Sequence, residues 1–316
     1  MTRKSNDQGR AYEFAYLTVF HEEISKIRPS KININSCYSA AERAWNTLSN
    51  IEKKTYRKSA LAGVKMILEL EPRILDINTD ELELTIQADA KGQIGDVRDI
   101  LISRRGIKWE IGLSVKHNHF AVKHSRLSNL IDFGEKWYRV KCSKQYWDDV
   151  NPIFNKLQIL KNQGELWSNH PSKENDVYLP LLTAFKNEIT RQNTNGNNIP
   201  RLLVEYLLGT FDFYKAIGID SKSITLIESY NLRGTLNKES ANRKSGITLP
   251  KSMFPSRIIQ LDFKPNSKNT LELYLDNGWQ FSFRIHNAST KIETSLKFDI
   301  QIIGMPITIV QFTCHW

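Results

Sequence analysis

Between Asp99 and Lys116 the chain reads as a β-hairpin with one apolar face and one polar face, and that pattern restricts the fold more than any other feature. Asp99 to Ser103 (DILIS) and Lys108 to Lys116 (KWEIGLSVK) are strand-like runs joined by Arg104-Arg105-Gly106, a turn signal. In the second run Trp109, Ile111, Leu113 and Val115 share one parity. Glu110, Gly112, Ser114 and Lys116 share the other. Side chains alternate across a strand, so the first set enters a core and the second lines one open face. A turn centred near Gly106 sets Asp99 opposite Ser114, and a carboxylate and an ammonium then face one cleft.

Around this hairpin the pattern is mixed. Asn6 to Ile27 carries Tyr12, Phe14, Tyr16, Leu17, Phe20, Ile24 and Ile27 near helical spacing, and Pro29 ends that helix. A second helical region covers Ser39 to Leu70, and Glu81 to Ile86 alternates as a strand. Further helices are expected over Ser125 to Trp137, Trp147 to Asn162, Tyr178 to Arg191 and Pro200 to Ile217, with a surface loop over Arg191 to Asn198. The last third turns β-rich. Leu271 to Asp276 and Trp279 to His286 flank Asn277-Gly278, a strong hairpin signal, and Phe298 to Ile303 and Ile307 to Phe312 are two more strands. The expected class is α/β (α+β): a mixed β-sheet flanked by helices, with a β-rich C-terminal part. Residues 1–170 would form the core with the hairpin and the basic segment after it. Residues 171–316 would form a helical, then β-rich, recognition or dimerisation part.

The 316 residues carry a net charge of +10, which favours a polyanionic partner such as nucleic acid. Cys37, Cys142 and Cys314 are too few and too scattered for a disulfide framework or a cysteine-rich zinc site. No apolar run approaches a membrane span, and MTRKSNDQGR lacks a secretory signal, so a cytoplasmic protein without membrane attachment is expected.

Asp99 and Lys116 are the parts that phosphodiester hydrolysis requires. A carboxylate holds Mg²⁺, and a cation positions the attacking water or stabilises developing charge. Mg²⁺ keeps several waters, so few protein carboxylates suffice. An Asp at a strand start also serves as a turn-former, and a strand Lys as a solvated surface group. The layout resembles the PD-(D/E)XK nuclease core with two departures. Arg98 stands where Pro is usual, and Ser114 stands where an acid is expected. The empty ligand position has three candidates: Glu13 on the first helix, Asp96 if the register shifts, and Glu110, roughly 13 Å from Ser114 along the strand.

The segment after Lys116 holds three of the seven histidines: His117, His119 and His124. With Asn118, Lys123 and Arg126 these groups can contact phosphates or base edges. Arg139 is a further guanine-reading candidate. A zinc site from the three histidines has no nearby acid or Cys to complete a familiar ligand spacing.

The segments 5–13, 40–48, 95–102, 109–119 and 122–128 are similar to those of the HaeIII-type restriction endonucleases. That resemblance implies Mg²⁺-dependent cleavage of double-stranded DNA at GGCC. It also implies a cognate cytosine methyltransferase that acts on the same site without a stable complex. A palindromic target is most simply cut by a two-fold homodimer. Two other readings of the residues remain open: a non-catalytic sequence-specific DNA-binding protein, and a repair or recombination nuclease on the same core.

Overall fold

In this computed structural model residues 5–76, 80–88 and 96–316 are described. In chain order the elements begin with α1 (Ser5–Ser25), β1 (Ser30–Asn33), α2 (Ser36–Asn46), α3 (Asn50–Leu70) and α4 (Pro72–Leu75). The hairpin region follows with β2 (Leu82–Ile86), β3 (Ile100–Arg104), β4 (Trp109–His117) and β5 (Ala121–Ser128). Helices α5 (Phe133–Tyr138), α6 (Lys144–Asn162), α7 (Leu179–Thr194) and α8 (Ile199–Leu208) come next. The remainder is β6 (Phe213–Ile219), β7 (Ile224–Tyr230), β8 (Ile258–Phe263), β9 (Thr270–Leu275), β10 (Gln280–His286), β11 (Ser295–Gly304) and β12 (Gln311–His315). The class is the mixed α/β one expected. No described helix is long and apolar enough to cross a membrane.

The chain divides into two compact units that interleave in sequence. The first takes Met1–Phe120, Thr210–Met253 and Ile307–Trp316; the second takes Ala121–Gly209 and Phe254–Pro306. A linear boundary at residue 170 falls inside the second unit. The physical reason is strand pairing: β6, β7 and β12 hydrogen-bond into the sheet begun by the first 120 residues.

That sheet runs β1-β2-β3-β4-β6-β7-β12. It is mixed, with β1/β2 and β4/β6 parallel and the other pairs antiparallel. The hairpin register is Ile100↔Leu113, Leu101↔Gly112 and Ile102↔Ile111, which sets Asp99 beside Ser114 as its spacing predicts. Its turn is the short Arg105–Ile107 3₁₀ segment, followed by Lys108 in the left-handed region (φ 50°). The β6–β7 hairpin closes the same way, through Asp220–Lys222 and Ser223 (φ 50°).

One sheet face carries the core. Tyr12, Ala15, Tyr16, Val19 and Phe20 of α1 and Tyr56, Ala60, Val64 and Ile67 of α3 cluster with Ile111, Leu113, Val115, Ala216 and Ile227. A helix begins at Asn50 because Ser49 and Glu52 form a reciprocal capping box, which splits the single helical region expected over 39–70 into α2 and α3.

The second unit holds the antiparallel sheet β5-β11-β10-β9-β8. Its core is aromatic, with Phe185 lying 4.7 Å from Phe133 and 5.2 Å from Phe298 between ring centroids. The β9–β10 hairpin turns at Asn277 (φ 59°) and Gly278 (φ 87°), the mirror-image turn that an Asn-Gly pair favours.

Four further expectations differ from the observed elements, the first being the 191–198 loop, which begins only after Thr194 where α7 ends. Residues 121–128 form an edge strand paired with β11, so the expected 125–137 helix shrinks to α5. Long-range pairing decides that segment, and no local period encodes it. The expected 200–217 helix stops at Leu208, because Gly209 takes φ 81° and the aromatic and β-branched residues after it enter a central strand. The final strand lies at 311–315 and not at 307–312.

Candidate active site

The hairpin gathers three donors on one oxygen. Asp99 Oδ2 accepts from the Val115 amide at 2.6 Å, the Lys116 Nζ at 3.0 Å and the Ser114 hydroxyl at 3.2 Å. None of these three bonds uses Oδ1. Asp99 sits just ahead of β3, and its amide donates to the Leu113 carbonyl at 2.7 Å, extending the ladder by one residue. The Asp99 and Lys116 side chains stay 21% and 28% exposed, so solvent reaches the pair. Burial opposes the charge on Lys116. The Asp99 carboxylate and, after it, Glu13 outweigh that cost and raise its pKa. Glu13 on α1 is therefore within electrostatic reach of the Lys116 ammonium, although the two lie about a hundred residues apart.

Asp96 and Glu110 take other partners. Arg98 Nε and a terminal nitrogen each donate to Asp96 at 2.8 Å, while its other terminal nitrogen donates to Glu110 at 2.7 Å. Arg98 holds the Asp96 carboxyl below its usual range against the opposing effect of burial. The register resolves as Asp99 with Lys116, and the two further acids belong to Arg98. The Arg98 stem crosses the backbone at Gly112, where an added Cβ would collide with its Cβ, Cγ and Cδ. The guanidinium also lies 4.0 Å from the centroid of the half-exposed Phe211 ring.

The basic segment distributes its groups. His117 is largely buried, lies against the rings of Tyr56 and Tyr12 at 4.3 and 5.0 Å, and meets Asp220 at 2.9 Å. Asn118 (φ 51°) bonds the Gly218 carbonyl through its amide and accepts from the Asp220 amide, so it shapes a turn. His119 is exposed. Lys123 and Arg126 lie in the second unit. Lys123 Nζ donates to the Tyr206 carbonyl at 2.7 Å and lies 3.8 Å from that ring's centroid, and burial lowers its pKa to about 8. Arg126 donates to the Ser295 carbonyl at 2.8 Å. Arg139, also in that unit, is well exposed and 3.9 Å from Glu205. The His124 side chain and Gly95 lie outside the described residues.

One polar residue that sequence reasoning missed sits directly beside the hairpin. Lys215 on β6 is the register partner of Ser114, is 4% exposed, and pairs in turn with Glu228 on β7. The lone cation in FYKAIG, after the Gly209 break, was the available signal. Assigning the segment to a helix hid it.

Among the described residues no group of three or more His, Cys, Asp or Glu is arranged to hold a metal. Asp99 is bonded to the Lys116 ammonium with its Oδ1 outside the donor cluster, and Glu13 acts on the same ammonium through space. Such a sparse oxygen set suits Mg²⁺, which retains waters and shares phosphate oxygens, better than zinc.

Comparison with known proteins reveals one family and one relative. The family model described as HaeIII restriction endonuclease matches residues 9–306. The chain is 56% identical over 317 residues to "Type II restriction enzyme HaeIII" of Haemophilus aegyptius, covering 100% of this chain and 99% of that protein. No solved structure matches.

Proposed function

The chain belongs to the HaeIII restriction endonuclease family, and on that premise we propose that it is a site-specific endonuclease that hydrolyses double-stranded DNA at GGCC with Mg²⁺. The observation that carries the proposal is the convergence of the Ser114 hydroxyl, the Val115 amide and the Lys116 ammonium on one Asp99 oxygen. A structural ion pair alone would not require a half-open carboxylate fixed by three donors. A carboxylate and an ammonium held together within reach of solvent are the pairing a hydrolytic centre uses.

Asp99 and Glu13 would hold Mg²⁺, which when bound lowers the pKa of a coordinated water and neutralises phosphate charge. Lys116 orients the attacking water and stabilises the negative charge that develops on the phosphate. Ser114, lacking a charge, holds Asp99 in place through its hydroxyl. Asp96, Arg98 and Glu110 form a brace that fixes the chain immediately before Asp99. His119, exposed just past the strand's exit, would contact the DNA backbone, with His117 and Asn118 holding that exit through Asp220; Lys123, His124 and Arg126 would supply DNA contacts from the second unit. Two copies of the chain would cut the two strands of the palindrome, and a cytosine methyltransferase would protect the same sequence.

Incubating a plasmid of known sequence with the protein and Mg²⁺, then mapping the ends, tests this reading. Discrete fragments with every end inside GGCC support it. Retention of DNA without nicking, or cuts only at branches and mismatches, overturns it.

A further inference from the structure

We propose that Lys215 is a positioning residue for the cleavage reaction, fixing the chain after Lys116 and holding the Lys116 ammonium toward Asp99. This inference rests on the nuclease reading above and extends it to a strand that follows the hairpin by almost a hundred residues.

The sheet register makes the argument. Ser114 pairs with Lys215 across the parallel β4/β6 ladder, Lys215 pairs with Glu228 across β6/β7, and Glu228 pairs with Gln311 across β7/β12. Paired residues point to one sheet face at about 4.8 Å spacing, so Ser114, Lys215, Glu228 and Gln311 form a polar row across four strands, with Asp99, just ahead of β3, bonded to Ser114 at its end. Lys215 is 4% exposed, and its Nζ donates to the Phe120 carbonyl at 3.1 Å. That bond ties down residues 117–120, the segment that directly follows Lys116.

Stability does not explain a lysine here. A buried ammonium costs several kcal/mol unless it is paired, and among the described residues no carboxylate closes on this one at ion-pair distance. Glu228 instead accepts hydrogen bonds from Tyr230 Oη at 2.9 Å and Gln311 Nε2 at 3.1 Å, and its charge reaches Lys215 only through space. Burial lowers the pKa of Lys215; Glu228 opposes that effect and the nearby Lys116 charge adds to it. Two ammonium groups therefore flank the uncharged Ser114. With Asp99 bonded to the Lys116 Nζ at 3.0 Å and the Lys215 charge opposing it, the reacting cation is biased toward Asp99. An acid at position 114 would instead face Lys215 and neutralise it, so the serine and the second lysine belong together.

Three variants test the role in single-turnover cleavage of a GGCC duplex, with duplex binding measured without divalent metal and thermal melting as the control for folding. Lys215→Met removes charge and donor. It should slow cleavage on the order of 100-fold, as a small misplacement of a reacting group does, while binding stays within about threefold. Lys215→Gln keeps a donor for the Phe120 carbonyl without the charge. It should fold and still be slowed, which keeps the proposal testable if the methionine variant unfolds. In a Lys116→Gln background, Lys215→Met should change the residual rate by less than about threefold, because the lysine acts through Lys116. Folded variants that cut within threefold of wild type overturn the role, as does a loss that persists undiminished without Lys116. Wild-type protein that leaves the duplex intact overturns the nuclease reading itself, so the two failures are distinct.

Discussion

Arg98 replaces a residue that would only bend the chain with one that binds it. Its guanidinium spans Asp96 and Glu110 while its stem covers Gly112, so the backbone entering Asp99 is held from three sides. Gly112→Ala would force that stem aside. The expected cost is about 1–3 kcal/mol of stability, together with slower cleavage, because Asp99 is the next residue in the chain. Urea denaturation and single-turnover rates measure both, and an alanine variant as stable and as fast as wild type contradicts the brace. For the reacting groups the expectation is larger. Asp99→Asn and Lys116→Gln should each lower the cleavage rate by about 10²–10³-fold with duplex binding largely kept, since each changes one group in a contact surface made of many. If either variant cuts normally, the centre lies elsewhere. Glu13→Gln should raise the Mg²⁺ concentration needed for half-maximal cleavage; unchanged metal dependence removes it from the ligand set.

At the scale of elements, the end of the hairpin is pinned by charge. Arg104 at the end of β3 is fully buried and donates to both oxygens of Asp80 at 2.7 and 2.9 Å, and Arg28, just past α1, donates to the same carboxylate at 2.9 Å. The Arg104 hydrogen bond, chiefly, lowers the Asp80 pKa to about 2. A folded-state pKa below the unfolded value means stability that is present above about pH 4 and lost as pH falls toward 2. Linkage sets it at about 2 kcal/mol at most for a largely buried group. Asp80→Asn should therefore lower stability at pH 7 and flatten its decline between pH 4 and 2. A variant whose acid unfolding curve parallels the wild type would show that the clasp contributes nothing. The same scale explains what was legible beforehand. The hairpin, α1 and the Asn277-Gly278 turn are written in local periods and turn chemistry, so spacing placed Lys116 opposite an acid, while the choice of Asp99 over Asp96 needed the register itself. Strand β5 is held by β11, more than 160 residues away, and β6 is held by β4, about a hundred residues away, as well as by its hairpin partner β7. Their sequences carry no period strong enough to outvote a helical reading. Lys215 was lost with β6, and the tie from Arg98 to Asp96 and Glu110 was lost because side-chain pairing across a ladder has no signature in spacing.

At the scale of the whole molecule, charge and connectivity each carry a consequence. A net charge of +10 predicts that duplex binding weakens steeply with salt as counterions are released, roughly 0.9 decade per decade of salt for each phosphate contacted. Affinity measured by anisotropy from 50 to 200 mM salt checks it, and a flat response would mean that phosphates contribute little. Connectivity makes the sharper prediction. A fragment of residues 1–170 contains the whole hairpin, yet it lacks β6, β7 and β12, three of the seven strands in that sheet. Removing them strips β4 of its parallel partner and exposes Leu113, Val115 and the polar row beside them. It also deletes Tyr214, Ala216 and Ile227 from the apolar cluster against α1 and α3. The lost burial, roughly 1.5–3 kcal/mol for each large apolar side chain, is comparable with the ordinary stability of a domain, about 5–15 kcal/mol. The fragment should show no cooperative thermal transition and no cleavage, whereas a chain joining residues 1–120, 210–253 and 307–316 through short linkers should regain a cooperative melt. Circular dichroism of the two proteins decides between an interleaved core and a consecutive one, because a consecutive core would fold from the first 170 residues alone.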